Sequence, residues 1–144
     1  MKLDAALAEA SGLLRHTAFG TGVEIEYTGA PGATVLARPG QLQQVIFNIF
    51  LNAAQAMNGV GVIKTVVRES EARLEISIRD SGPGIPPEHL ARVFEPFFTT
   101  KAPGEGTGLG LAISYEIVQE LGGAIRASNH PDGGACFQIV VPRT

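Results

Sequence analysis

Neutral amide side chains are the first chemical groups that stand out in this sequence. The segment 48–57, NIFLNAAQAM, is otherwise almost entirely apolar, and no charged residue occurs from Pro39 to Ile63. Amides recur here at spacings of three and four residues, which places them in one stripe along a helix: Gln41, Gln44, Asn48, Asn52 and Gln55. Because amides donate and accept hydrogen bonds without adding charge, the stripe suits a partly enclosed cavity. The alternative is a buried helix whose amides bond to neighbouring loops.

A carboxylate, Asp80, ends the strand-like segment ARLEISIRD. Two-residue periodicity places it on the same face as Leu74, Ile76 and Ile78, where a carboxylate must find hydrogen-bond donors. The next four residues, SGPG, include two glycines, at which another molecule can approach the backbone. Two interpretations remain open. Asp80 bonds to its own turn, or it accepts a hydrogen bond from a ligand N–H such as the exocyclic amine of adenine.

Alternating glycines at positions 104, 106, 108 and 110 precede a predicted helix in GEGTGLGL. Bare backbone N–H groups at a helix N-terminus bind anions, and the helix dipole adds to this attraction. The pattern is neither a Walker A loop nor a dinucleotide-binding fingerprint, because no Gly-Lys-Ser/Thr follows and no strand leads directly into it. Upstream, residues 99–101 (TTK) add two hydroxyls and a positive charge that suit a phosphate. A flexible loop with an ordinary surface lysine is the alternative.

Helices and strands are mixed along the chain, which predicts an α/β or α+β sheet covered by helices on one face. Apolar residues at helical spacing predict helices, and two-residue alternation predicts strands. The predicted helices cover 3–15, Pro39 to about Met57, a short turn at 88–93, and 109–121. The predicted strands cover 23–27, a short 34–37, a hairpin of 60–68 and 72–80, then 124–128 and 135–141. Residues 97–108 are predicted to form a mobile loop.

Composition restricts the possible function classes. The chain has 144 residues, 44% of them hydrophobic and 17% charged, which is typical of one folded domain. A net charge of −3 gives no electrostatic indication of nucleic-acid binding. The single cysteine, Cys136, excludes an internal disulfide and favours a cytoplasmic location, although a parent protein anchored in a membrane stays compatible with this. We find no signal-peptide pattern and no apolar run long enough to span a membrane.

Four motifs in order resemble the ATP-binding domain of sensor histidine kinases, in the style of the nitrogen-regulation and oxygen-sensing kinases. NIFLNAAQAM, DSGPGI, FEPFFTTK and GTGLGLAIS are similar to the N, G1, F and G2 boxes of that family. The resemblance covers about residues 23–142. It implies the Bergerat (GHKL) fold, a two-layer α/β sandwich in which a mixed, mostly antiparallel sheet of about five strands carries about three helices on one face, with an ATP lid.

The resemblance also implies the cofactors, ATP and Mg²⁺, and the residues that hold them. Asn52 matches the asparagine that binds Mg²⁺, and Asp80 matches the aspartate that accepts from the adenine amine. Asn48 and Lys101, next to the phosphates, match the candidate catalytic positions. The other implied cofactor-binding residues are Gln55, Gly82, Gly84, Ile85, Phe94, Thr99, Thr100, Gly106, Thr107, Gly108, Leu109 and Gly110. Gln55 departs from the family pattern, because many relatives carry a lysine or arginine there.

The resemblance predicts a catalytic domain that transfers the γ-phosphoryl group of ATP to a histidine. We expect residues 1–20 to be a linker or remnant of a preceding helical hairpin, and residues 21–144 to be the ATP-binding domain, monomeric in isolation. The expected partners are a histidine-bearing dimerisation domain, normally in the same polypeptide, and a response regulator receiver domain. The alternatives are an anti-sigma-factor serine kinase and a nucleotide-gated module of the same fold. Those relatives carry a glutamate as general base where this chain has Asn48, which cannot abstract a proton.

Overall fold

The computed structural model describes residues 2–38, 40–98 and 109–144, and within these ranges five strands form one sheet beside three α-helices. The α-helices are α1 (Leu3–Arg15), α2 (Gln41–Ala56) and α3 (Gly110–Glu120), with a short 3₁₀ helix at Pro87–His89. The strands are β1 (Gly22–Thr28), β2 (Val60–Glu69), β3 (Arg73–Asp80), β4 (Ala124–Asn129) and β5 (Ala135–Pro142). Pro39 and most of the predicted mobile loop lie outside the described residues.

The sheet has the strand order β1-β2-β3-β5-β4. β1 and β2 pair in parallel, and the three other neighbouring pairs are antiparallel. The parallel pair requires a crossover connection, which α2 supplies. The hairpin between β2 and β3 closes where the Ser70 N–H donates to the Arg73 carbonyl at 3.0 Å. This confirms the predicted fold class, a mixed and mostly antiparallel sheet with helices against it.

α2 forms where the sequence has no charge, and it is the most buried helix in the described part of the chain. Its buried side chains face both the sheet and the neighbouring helices; the larger ones are Leu42, Val45, Ile46, Ile49 and Phe50. The helix ends at Ala56 and is followed by Asn58 and Gly59, which adopt positive φ angles of 54° and 79°. The Asn-Gly pair therefore stops the helix as predicted and leads directly into β2.

α1 belongs to the same hydrophobic core. Its apolar face is buried against α2 through Leu3, Ala6, Leu7, Ala10 and Leu14. On its polar side, the Asp4 carboxylate accepts from the Tyr27 hydroxyl at 3.0 Å and from the Gly32 N–H at 2.9 Å. Burial and this bond to Asp4 raise the pKa of Tyr27 to about 12. The origin of residues 1–20 in a helical hairpin stays a prediction.

Two predicted elements differ from those observed. The short strand predicted at 34–37 was wrong, because Thr34 and Val35 form isolated bridges to Lys2 and Arg143 respectively. Successive residues thus pair with different segments, and no ladder extends along them. The helical turn predicted at 88–93 is shorter than expected, because the 3₁₀ helix ends at His89 and is followed by irregular turns.

Candidate functional site

Asp80 is the last residue of β3, and its side chain lies on the buried face that two-residue alternation predicts. It is 3% exposed. Its Oδ1 accepts from the Gly82 N–H at 2.9 Å and from the Ala135 N–H at 3.1 Å. Among the described residues no ion pair includes this carboxylate, and Oδ2 accepts no hydrogen bond. Asp80 therefore bonds to its own turn, as one interpretation predicted, and it also keeps one oxygen for a further donor.

The loop 81–85 follows Asp80 and is shaped by its two glycines. A Cβ on Gly82 would lie 3.2 Å from Asp80 Oδ1, which is tighter than ordinary contact. Gly84 has a φ of 86°, a conformation that side chains other than glycine rarely adopt. Ile85 closes the loop and packs partly buried against the core. The two glycines thus let the loop backbone pack closely against Asp80 and Asn129.

The amide stripe of α2 divides into two parts. The Nδ2 of Asn48 donates to the Gly110 carbonyl at 3.0 Å and to the Ser114 hydroxyl at 3.2 Å. Nearer the start of α2, the Nε2 of Gln41 donates to Glu120 at 3.3 Å. This part of the stripe fastens α2 to α3, which fits the alternative of a buried helix with bonded amides, although the partners lie on a helix and not on neighbouring loops. Our expectation that the whole stripe faces a ligand was therefore wrong for Gln41.

The second part of the stripe lies toward the end of α2 that approaches the Asp80 loop. Asn52 and Gln55 are half-buried and lie one and two turns beyond Asn48 on α2. The end of α2 approaches the loop, since a Cβ on Gly82 would lie 3.4 Å from the Ala56 carbonyl oxygen. The fold thus brings together the segments of the predicted N and G1 boxes, which are far apart in the sequence.

The predicted F box forms an aromatic cluster beside α3. Phe94 is half-buried, with its ring edge-to-face against Phe137 of β5 at 6.1 Å and tilted against Tyr115 of α3 at 5.7 Å. Phe98 contacts His89 edge-to-face at 5.2 Å and lies beneath the Arg92 guanidinium at 4.6 Å. Through Phe94 this segment contacts both the helical layer and the sheet.

The phosphate side of the predicted site lies only partly within the described residues. Leu109 precedes α3 as its N-cap residue, and Gly110 is the first residue of the helix. Gly110 packs against Asn48, whose Cγ would lie 3.7 Å from an added Cβ. Six predicted residues lie outside the described ranges: Thr99, Thr100, Lys101, Gly106, Thr107 and Gly108. Their assignment stays a prediction.

Sequence reasoning missed Asn129, at the end of β4. Its Oδ1 accepts from the Ile85 N–H at 2.7 Å, and its Nδ2 donates to the Ile85 carbonyl at 2.6 Å. In the sequence it is the second residue of SNHPDGG, where an asparagine indicates only a turn. The contact spans 44 positions, and no local pattern reveals it.

No helix in the described part of the chain has the length and apolar character that crossing a bilayer requires. The same residues contain no group of three or more histidine, cysteine or acidic side chains that could hold a metal by themselves.

Comparison with known proteins places this chain in a family. Residues 37–144 match the family described as histidine kinase-, DNA gyrase B-, and HSP90-like ATPases. The sensor histidine kinase ZraS of Klebsiella oxytoca is 39% identical over 132 residues, which are 90% of this chain and 28% of that kinase. The chain thus spans little more than a quarter of that relative.

Solved structures agree with the sequence comparison. The catalytic domain of histidine kinase ThkA superposes with a TM-score of 0.85 at 32% identity, covering 99% of this chain and 95% of that one. The mycobacterial sensor histidine kinase MprB superposes with a TM-score of 0.87 at 28% identity, with the same coverage of both chains. The chain therefore belongs to the family of histidine kinase-, DNA gyrase B- and HSP90-like ATPases, and within it to the histidine kinase type, as its four motifs predicted.

Proposed function

We propose that this chain is the ATP-binding catalytic domain of a two-component sensor histidine kinase, and that it transfers the γ-phosphoryl group of ATP to a histidine on a separate domain. Membership of the family implies ATP binding. The observation that carries the residue assignment is the buried Asp80 carboxylate, whose Oδ1 is bonded within the fold and whose Oδ2 accepts no hydrogen bond from a described residue.

Asp80 is proposed to recognise the base. Its Oδ2 is an acceptor in a largely dry environment, where a charge-assisted hydrogen bond from an amine is strong. Adenine presents such an amine, whereas guanine presents a carbonyl oxygen at the same ring position. Two acceptors facing each other repel, so the pocket is expected to discriminate against guanine nucleotides.

Asn52 is proposed to contribute to Mg²⁺ binding. Its amide oxygen is a hard, neutral ligand, and Mg²⁺ in nucleotide sites commonly takes one or two protein ligands with phosphates and water completing its shell. The absence of an acidic or histidine cluster in the described ranges fits this arrangement. When bound, Mg²⁺ neutralises charge on the phosphates. Asn52 would orient the nucleotide from α2.

Asn48 supports transfer to a protein acceptor over hydrolysis. An amide cannot take a proton from water, and both N–H groups of this one are directed at α3. Rapid hydrolysis therefore has no base at this position. The carbonyl end of the amide remains to order the surroundings of the phosphates.

The acceptor histidine is proposed to lie on another domain. His16 caps the end of α1, and the His89 ring packs against Phe98. His130 lies in a turn beside Arg79 and Asp132. None of the three lies on a helix followed by an acidic residue, which is the expected setting of an acceptor. A dimerisation domain bearing that histidine, and a response regulator receiver domain after it, are the proposed partners, with a cytoplasmic location for all three.

The test is incubation of the chain with γ-labelled ATP and Mg²⁺, alone and with the histidine-bearing hairpin of the parent protein. We expect no label on the chain alone and slow labelling of the hairpin, because docking is no longer intramolecular. The same hairpin with its acceptor histidine changed to alanine is the control. Acid-labile label on the chain alone that is lost on mutation of His16, His89 or His130 would contradict the proposal.

A further inference from the structure

The hairpin between β4 and β5 contacts Asp80 and the loop that follows it. At its tip the His130 N–H donates to the Gly134 carbonyl at 2.9 Å. The Arg79 guanidinium donates to the Gly133 carbonyl at 3.2 and 3.0 Å and thus fastens the tip to β3. Gly134 packs so closely that an added Cβ would lie 1.9 Å from the Asp80 carbonyl oxygen. The hairpin therefore has a fixed position relative to Asp80.

This hairpin bonds to both ends of the segment 80–85. At the first end, Ala135 donates its N–H to Asp80 Oδ1. At the second end, the Asn129 amide pairs with the N–H and the carbonyl of Ile85, much as a neighbouring strand would. Between these two points lie only residues 81–84, two of which are glycines.

Asn129 therefore restricts the conformation of a loop that has no regular secondary structure. Residues 82–86 belong to no helix or strand, so the Ile85 backbone has no ladder to bond to. Glycines give a loop many accessible conformations, and a ligand that needs one of them must offset the lost entropy. A side chain that holds the loop beforehand removes part of that cost.

We propose that Asn129 is a positioning residue for nucleotide binding, which acts by holding the 81–85 loop in the conformation that receives the base. This proposal rests on the assignment of Asp80 and its loop to the base. Asn129 is exposed, so water replaces part of what its removal loses. We expect Asn129→Ala to raise the Kd for ATP roughly 5- to 30-fold, the scale of two hydrogen bonds with partial compensation.

The experiment measures ATP and adenosine binding by calorimetry for the wild type, Asn129→Ala and the control Ser128→Ala. Ser128 is the exposed neighbour on β4 and makes no side-chain hydrogen bond among the described residues. Because the loop contacts the base, we expect Asn129→Ala to weaken ATP and adenosine by the same factor, with Ser128→Ala within twofold of the wild type. In phosphoryl transfer to the histidine-bearing hairpin of the parent protein, Asn129→Ala should raise KM for ATP and leave kcat unchanged.

Hydrogen exchange at the Ile85 amide reports directly whether the Asn129 side chain holds the loop, an interaction that we call the clamp. The Ile85 N–H should exchange faster in Asn129→Ala and normally in Ser128→Ala. Asn129→Asp keeps an acceptor for this N–H but sets a carboxylate oxygen against the Ile85 carbonyl. It should retain part of the protection and still weaken ATP binding. If Asn129→Ala does not fold, Asn129→Asp decides by the same criterion.

A folded Asn129→Ala that binds ATP within twofold of the wild type, while Asp80→Asn binds it more weakly, would overturn the clamp and leave the pocket assignment intact. Loss of ATP binding with unchanged adenosine binding would also overturn it. If Asp80→Asn itself leaves ATP binding unchanged, the pocket assignment fails and the clamp proposal fails with it. An unchanged exchange rate at Ile85 in Asn129→Ala would show that the amide does not hold the loop.

Discussion

Replacing Asp80 by asparagine separates the structural role of Oδ1 from the base-binding role proposed for Oδ2. Oδ1 of Asp80 accepts from Gly82 and Ala135 at 2.9 and 3.1 Å. An asparagine oxygen can accept both bonds, so the fold and the 81–85 loop should persist. The new Nδ2 then places N–H groups where Oδ2 stood, and these cannot accept from the adenine amine.

The expected loss follows from this exchange of one acceptor for a donor. A hydrogen bond to a charged acceptor contributes about 1–3 kcal/mol, which corresponds to roughly a 5- to 150-fold rise in Kd. Because a donor then faces a donor, we expect the upper half of that range for ATP. We expect the wild type to bind GTP poorly and Asp80→Asn to lose most of the preference for ATP.

Asp80→Ala is the matched variant that tests the structural role of Oδ1. It removes the acceptor from the buried Ala135 N–H, so we expect it also to lower the free energy of unfolding by about 1–3 kcal/mol. Calorimetry with ATP and GTP, together with urea denaturation, measures both effects on the wild type and both variants. Equal wild-type affinities for ATP and GTP, or a folded Asp80→Asn with wild-type ATP affinity, would refute the reasoning.

Two further predictions concern α1 and its contacts. Leu14→Ala should lower the free energy of unfolding by about 2–5 kcal/mol because Leu14 is fully buried. Leu13→Ala, at a side chain that is 51% exposed, should change it little; equal urea midpoints for the two variants would contradict this packing. Tyr27 keeps its proton in the folded state up to a pKa of about 12, whereas the unfolded chain loses it near 10, so stability should fall as pH rises from about 10 through about 12. Tyr27→Phe should remove that part of the fall in denaturation curves, with Tyr115→Phe as the control.

The sequence predicted those parts of the site that depend on a local period. Asp80 faces inward because strand side chains alternate, and the Asn58-Gly59 pair follows the end of α2 as predicted. Ordered motifs then predicted the family, and hence a fold that composition alone left open between two classes.

Contacts between distant segments could not be read from the sequence. Asn48 and Gln41 bond to α3, yet their spacing is equally consistent with a ligand-facing stripe. Val35 is β-branched and buried, which suggests a strand, but its single bridge to Arg143 arises only from the tertiary arrangement. Asn129 indicates a turn by its type, and its pairing with Ile85 depends on where the β4–β5 hairpin folds back.

The bond between Ala135 and Asp80 has a consequence for the order of folding. The two residues are 55 positions apart, whereas the β2–β3 hairpin closes over a short turn and can form early. Pairing β3 with β5 closes a loop that contains all the residues between these strands, and only then does Asp80 acquire its second donor. A partly folded chain thus has the carboxylate without the native contacts around it. Nucleotide should consequently bind the native state alone, so that saturating ATP raises the melting temperature as mass action requires.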